Sequence, residues 1–190
     1  MSRIISGLAG SLRLAQGAKD TRPTADRVKE SVFASLESFD QITGANVLDL
    51  FAGTGALGLE ALSRGAKSLT LVEKSKSALE VCRKNSESVQ GSLAKQGVVV
   101  DVSLRHADAL VFLKSNAEKY DLVFIDPPYE YSNEKLKSVL ELIAKCVSSE
   151  SAVVIERSSR SEEIEIGALE KYAEKEYGDT TVRFFRPISR

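Results

Sequence analysis

Five short apolar runs, each bounded by turn-forming residues, recur along the chain at helix-sized intervals: NVLDLF (46–51), SLTLVE (68–73), GVVVDVSLRHAD (97–108), YDLVFID (120–126) and SAVVIER (151–157). Between them lie GLEALSRG, SKSALEVCRKNSESVQGSLAKQ, ALVFLKSNAEK and SNEKLKSVLELIAKCV, whose apolar positions follow a period near 3.6. Strand and helix therefore alternate. That order predicts a parallel, doubly wound sheet covered on both faces. The last 20 residues depart from it. KYAEKEY and TVRFFRP alternate with period 2 around Gly178 and Asp179, which predicts an antiparallel hairpin closing the sheet. A helix precedes the first core strand, with Val28, Val32, Phe33 and Leu36 on one face. Ser75 is placed to cap the helix that follows residue 75, and Ser132 or Asn133 the helix that buries Leu136, Val139, Leu140, Ile143 and Val147. The segment RSSRSEEIEIGALE (157–170) reads as a loop with a short helix. At 190 residues the chain suits one α/β domain.

Within this frame VLDLFAGTGALGLEALSRGA (47–66) places Gly53, Gly55 and Gly58 in G-x-G-x-x-G spacing between the first strand and the next helix. Such turns lie where cofactors bind in these folds, and Glu73 follows 20 residues after Gly53 at the distance expected for a ribose-binding acid. A dinucleotide brings a pyrophosphate to the helix N-terminus. Asp49 would set a carboxylate against that dianion. S-adenosylmethionine instead carries an ammonium and a sulfonium and no phosphate, so Asp49 favours it, while Glu73 suits the ribose of either ligand.

The fourth run ends in Asp126-Pro127-Pro128-Tyr129. Two prolines remove two N–H donors and hold the backbone extended, which leaves an edge of acceptors, the Asp126 carboxylate and the Pro127 carbonyl, without competing donors. An exocyclic amino group conjugated to a base needs that environment, since acceptors for its hydrogens favour a nucleophilic nitrogen. Tyr129 is placed to stack on the heterocycle. Hydride transfer finds no use for this edge, and the only histidine, His106, gives little choice of acid or base. A methyl donor is therefore preferred to nicotinamide.

Charge is distributed unevenly. Residues 1–29 hold Arg3, Arg13, Lys19, Arg22, Arg27 and Lys29 against Asp20 and Asp26, a net +4, whereas the rest carries a net −5. A basic arm on an acidic body fits a polyanionic partner gripped by the arm, although a solvated terminus fits equally. Cys82 and Cys146 sit in helical patterns without a second Cys or His at ligand spacing, so they read as packing residues, not a disulfide or zinc site. No apolar run reaches the length of a membrane span, and Arg3 and Arg13 interrupt the N-terminus, so a cytoplasmic location is expected.

On RIISGLAGSLRL, TRPTADRVKESVF (21–33), LDLFAGTGALGLEALSRGA (48–66), LVEKS (71–75) and FIDPPY (124–129), the sequence resembles class I S-adenosylmethionine-dependent methyltransferases. It is most similar to the bacterial family that methylates guanine N2 in small-subunit (16S) ribosomal RNA. The glycine loop and Pro-Pro motif mark the superfamily; the segment from Thr21 to Glu30 is the specific one. The resemblance implies a Rossmann-like, mostly parallel seven-stranded sheet ending in an antiparallel hairpin. It implies a basic extension over 1–20, with a short β-hairpin at 3–15, before a methyltransferase domain over 21–190. It assigns Asp49, Phe51, Gly53, Gly55, Glu73, Lys74, Asp108, Ala109 and Asp126 to the cofactor, and Asp126, Pro127 and Tyr129 to the reacting base. Arg3, Arg13, Arg22, Thr24 and Arg27 fall to the RNA, with the partly or fully assembled 30S subunit as substrate and no metal. Asp108 reads nearly as well as the N-cap of ALVFLKSN. Amino-directed methylation of DNA adenine or cytosine, or of protein glutamine, and a non-catalytic RNA-binding assembly factor stay open as alternatives.

Overall fold

The computed structural model describes residues 2–16, 23–162 and 164–188, and the side chains of residues 23–25 fall outside the description. The elements follow as α1 (Pro23–Ser38), β1 (Asn46–Asp49), α2 (Ala56–Ser63), β2 (Ser68–Glu73), α3 (Lys76–Ala94), β3 (Asp101–His106), α4 (Ala109–Ser115), β4 (Tyr120–Ile125), α5 (Asn133–Ile143), β5 (Val147–Ser158), β6 (Leu169–Tyr177) and β7 (Thr180–Pro187). Among the described residues the strands form one seven-stranded sheet ordered β3-β2-β1-β4-β5-β7-β6. Strands β1 to β5 run parallel, and β7 inserts antiparallel between β5 and β6. The hairpin turn falls at Gly178, whose φ of 58° is what a type II′ turn needs at its first central position.

Side chains that alternate along a strand reach opposite faces of the sheet. Leu122 and Phe124 enter the core under α1, α2 and α3, whereas Val123 and Ile125 enter the core under α4 and α5. This two-sided burial is why Leu122 to Ile125 of β4 read as an unbroken apolar run. Ser75 and Ser132 cap α3 and α5, accepting from Ala78 N and Lys135 N.

Three boundaries differ from the periodicity. Val147 opens β5 opposite Tyr120 and does not belong to α5, which stops at Ile143. A lone apolar residue at a helix–strand junction satisfies both periods, and pairing with β4 decides between them. The third run is a strand only over Asp101–His106, with Val99 93% exposed. As an edge strand, β3 has only β2 to pair with. The segment after Ser158 forms no helix among the described residues and enters β6 through an Ile166–Leu169 bridge.

The N-terminal stretch pairs through one antiparallel bridge, Arg3 with Arg13, flanked by bonds from Ile4 N to Leu12 O (2.9 Å) and from Leu14 N to Ser2 O (3.0 Å). It is packed, not free: Ile4, Ala9 and Leu14 are buried in the same core as Val47 and Leu71. Glu60 of α2, fully buried, accepts from Ile5 N at 2.7 Å and Ser6 N at 3.0 Å, and Ser63 Oγ accepts from Ala9 N at 2.9 Å. Gly7 lies so close that a Cβ there would stand 1.9 Å from Ser63 O. Lys29, counted above with the basic arm, is turned inward. It is 5% exposed, 3.4 Å from Glu60, and its pKa is lowered by burial against the opposing pull of Glu60.

Candidate active site

The strand order reverses between β1 and β4, so the loops leaving their carboxyl ends flank the crevice where such sheets bind ligands. Asp49 ends β1 and is 2% exposed, with Oδ2 accepting from Gly58 N at 3.1 Å. Burial, opposed by that N–H and helped by the charge of Glu73, pushes Asp49 up to about 7. Beyond it the chain turns through Gly53 (φ 54°) and Gly55 (φ 80°), a region where L side chains are strained. Gly58 is needed for a different reason. A Cβ there would lie 2.6 Å from Leu69 Cδ1, where α2 packs on β2. Cys82 sits under Gly55, and burial raises its thiol to about 12, in keeping with a packing role.

Neighbouring strands bring the other residues into line. Glu73, at the end of β2, accepts from Gly53 N at 2.9 Å and from Ser75 N at 2.6 Å, so it fastens the glycine loop as well as facing the crevice. Its oxygens keep further acceptor capacity for a ligand. Asp108, after β3, caps α4 by accepting from Leu110 N at 3.0 Å, and its second oxygen stands 3.3 Å from Lys74 Nζ. The capping role is thus present; the exposed Lys74 adds little to stability as a surface ion pair. Ala109 is buried in the first turn of α4.

Leu50 N donates to Phe124 O at 3.0 Å, which sets the end of β4 beside the glycine loop. There Asp126 is exposed, Pro127 is buried, and Tyr129 stands 65% exposed at the rim. Asp126, Asp49, Glu73 and Asp108 therefore stand at or just beyond the carboxyl ends of β4, β1, β2 and β3 in order, spanning three inter-strand steps of about 4.8 Å each. That row matches an extended molecule with a cationic amino-acid end and a nucleoside end. A groove of about 480 Å³ opens at the opposite, amino-terminal edge near Asn46, Ser68, Asp101 and Tyr120, away from all of these residues.

Two residues escaped the sequence reading. Tyr131 lies against Phe51, edge to face, with ring centroids 5.1 Å apart. Arg157, near the end of β5, donates to Tyr131 O at 3.1 Å and to Asn133 Oδ1 at 3.2 Å, and so holds the loop that follows Tyr129. Burial and the nearby charge of Arg183 lower its pKa, while Asp126 acts in the opposite sense. Of the residues expected at RNA, Arg3 and Arg13 are exposed side by side across their bridge, and Arg27 is exposed on α1. Arg22 lies outside the described residues, as does the side chain of Thr24.

The family described as Conserved hypothetical protein 95 matches residues 2–186. The Ribosomal RNA small subunit methyltransferase D of Haemophilus influenzae is 39% identical over 133 residues, which cover 68% of this chain and 65% of that protein. A Bacillus subtilis protein provisionally named an rRNA methyltransferase, YlbH, is 33% identical over 192 residues, covering 97% of this chain and 98% of that one. The solved Escherichia coli protein yhhF, provisionally named a methyltransferase, superposes with a TM-score of 0.80 at 29% identity, covering 99% and 98% of the two chains. With the match running from the packed N-terminal stretch through the closing hairpin, the chain belongs to this family, alongside the small-subunit rRNA methyltransferases it resembles.

Proposed function

We propose that this protein transfers a methyl group from S-adenosylmethionine to the exocyclic N2 of a guanine in small-subunit (16S) ribosomal RNA. The observation that carries this reading is the placement of Asp126-Pro127-Pro128-Tyr129 at the end of β4, directly beside the glycine loop of β1. The residues fit the donor. Buried Asp49 suits its ammonium, Glu73 its ribose hydroxyls, and a Cβ on Gly53 would meet nothing within 4 Å, so the loop is open above. When bound, the donor supplies an electrophilic methyl on a positively charged sulfur.

Asp126 and the Pro127 carbonyl accept the hydrogens of the target amino group and aim its lone pair, while Tyr129 supports the base by stacking. The nitrogen lone pair forms the new N–C bond as the S–C bond breaks and its electron pair returns to sulfur. The nitrogen becomes cationic, and its proton then passes to Asp126 or to water. Alignment of the two reactants supplies most of the acceleration. Neither a covalent enzyme intermediate nor a metal enters this reading. Arg3, Arg13 and Arg27, with Arg22 and Thr24, contact RNA phosphates near the site. Proteins of the partly assembled 30S subunit complete that surface, because Lys29 is withdrawn from it. The substrate places the protein in the cytoplasm.

The test is transfer of labelled methyl from S-adenosylmethionine to small subunits lacking their own guanine-N2 methylations, with nucleoside analysis. Label in N2-methylguanosine supports the reading. Label in another nucleoside or in protein overturns the choice of target, and equal methylation of protein-free RNA overturns the role given to the assembled subunit.

Asp49 makes cofactor binding depend on pH. In the free protein its carboxyl is held up to about 7, mainly by burial. Between the unfolded value of about 3.9 and that point the native state holds more protons than the unfolded chain, so free-protein stability falls as pH rises. A cationic ligand favours the ionised form, and binding then expels the proton. The affinity for S-adenosylhomocysteine, which keeps the ammonium, is expected to rise up to about tenfold per pH unit from roughly 5.5 to 7 and then level. Titration calorimetry at pH 6 in buffers of different ionisation enthalpy should show close to one proton released, and none for Asp49→Asn. Absence of release from the wild type would remove Asp49 from the ammonium site.

A further inference from the structure

Among the described residues, the Tyr131 hydroxyl alone is a buried side-chain polar atom without a hydrogen-bond partner. Buried hydroxyls are nearly always paired, and leaving one unpaired is costly. This one is not loosely placed. Tyr131 N donates to Pro128 O at 2.9 Å, Arg157 holds its carbonyl at 3.1 Å, and Phe51 packs against its ring. Phe51, two residues beyond β1 at the start of the glycine loop, is the ring's edge-to-face partner at 5.1 Å, so the Tyr131 ring lies against that loop, on the core that Ala107 and Leu110 also pack against. The negative charge of Asp108 also acts on the hydroxyl, which burial pushes above the usual tyrosine range.

We propose that Tyr131 is a cofactor-binding residue whose hydroxyl pairs with the adenosyl half of the methyl donor, the ligand completing a bond that the free protein lacks. This rests on the donor named above and assigns it one more contact. A tyrosine hydroxyl both donates and accepts, and an adenine edge offers partners of both kinds. The residue selects for adenine among nucleosides and adds no step to the reaction.

Tyr131→Phe separates this role from packing, because the ring is kept and only the unpaired oxygen is removed. The free variant should melt at the wild-type temperature or a few degrees above it. Its Kd for S-adenosylhomocysteine and for 5′-methylthioadenosine should rise by about five- to tenfold in both cases, since the two share the adenosyl half. A clear drop in melting temperature would show that the hydroxyl has a partner within the protein and would overturn the proposal. Unchanged affinities with a raised KM for RNA would also overturn it, assigning the hydroxyl to the target base. Failure of the wild type to bind S-adenosylhomocysteine would instead sink the donor assignment itself.

Discussion

Asp126→Ala is expected to lower kcat for methyl transfer by roughly 10²–10³-fold, the loss usual for removing one group aimed at developing charge, with the Kd for S-adenosylhomocysteine within about threefold of the wild type. The carboxylate sits just beyond Ile125 and is exposed, and Pro127 continues the buried strand end behind it. The fold therefore tolerates the change. Asp126→Asn is informative beside it: the amide keeps one acceptor oxygen but turns a donor toward the amino hydrogens, so most activity should still be lost. Single-turnover transfer with labelled donor, together with titration calorimetry, reads both quantities. Retained turnover in either variant would show that another acceptor holds the amino group. Parallel loss of cofactor affinity would move Asp126 to the cofactor side.

The second large effect is on stability. Glu60 is fully buried, and its carboxylate meets Lys29 at 3.4 Å and Arg64 Nε at 2.8 Å in addition to the N–H groups of Ile5 and Ser6. Arg64 in turn reaches Glu37 at 2.8 Å and lies 5.0 Å from the Phe33 ring centroid. Removing one member of a buried ionic cluster strands the others, so Glu60→Ala should cost about 3–5 kcal/mol. In urea that is a midpoint lowered by about 1–3 M at similar slope. The double variant Lys29→Met, Glu60→Leu should recover part of the loss, because an apolar pair often replaces a buried ion pair at little cost. Recovery should stay incomplete, since Ile5 N and Ser6 N lose their acceptor. A cost below about 1 kcal/mol would mean that water reaches the cluster and screens it.

The alternation of apolar runs and helical segments was enough to specify the parallel sheet and its closing hairpin, because burial on both faces leaves a periodic trace in the chain. The row of acids along the carboxyl edge of the sheet was legible for a related reason. Asp49, Glu73 and Asp126 are acids at strand ends, where packing does not ask for them, so their chemistry stands out. Boundaries were less legible. Val147 fits a helix period and a strand period, and only pairing with Tyr120 resolves it. Asp108 suited two roles by its position before α4; its cap on Leu110 N is a local bond, whereas its approach to Lys74, 34 positions away, is a tertiary one.

What the sequence determined by itself was local: periodicity, the glycine turn, the donor-free Pro-Pro edge, and the kind of ligand those groups suit. What the tertiary structure decided was which charged and polar groups face one another across long separations. Lys29 and Glu60 are 31 positions apart, and nothing in either helical pattern marks them as a buried pair. Tyr131 lies in a stretch without periodicity, and its position is fixed only by Phe51, in the loop after β1, and by Arg157, on β5. Hydrophobic period is carried by neighbours in the chain. Electrostatic pairing and the absence of a hydrogen-bond partner are properties of neighbours in space.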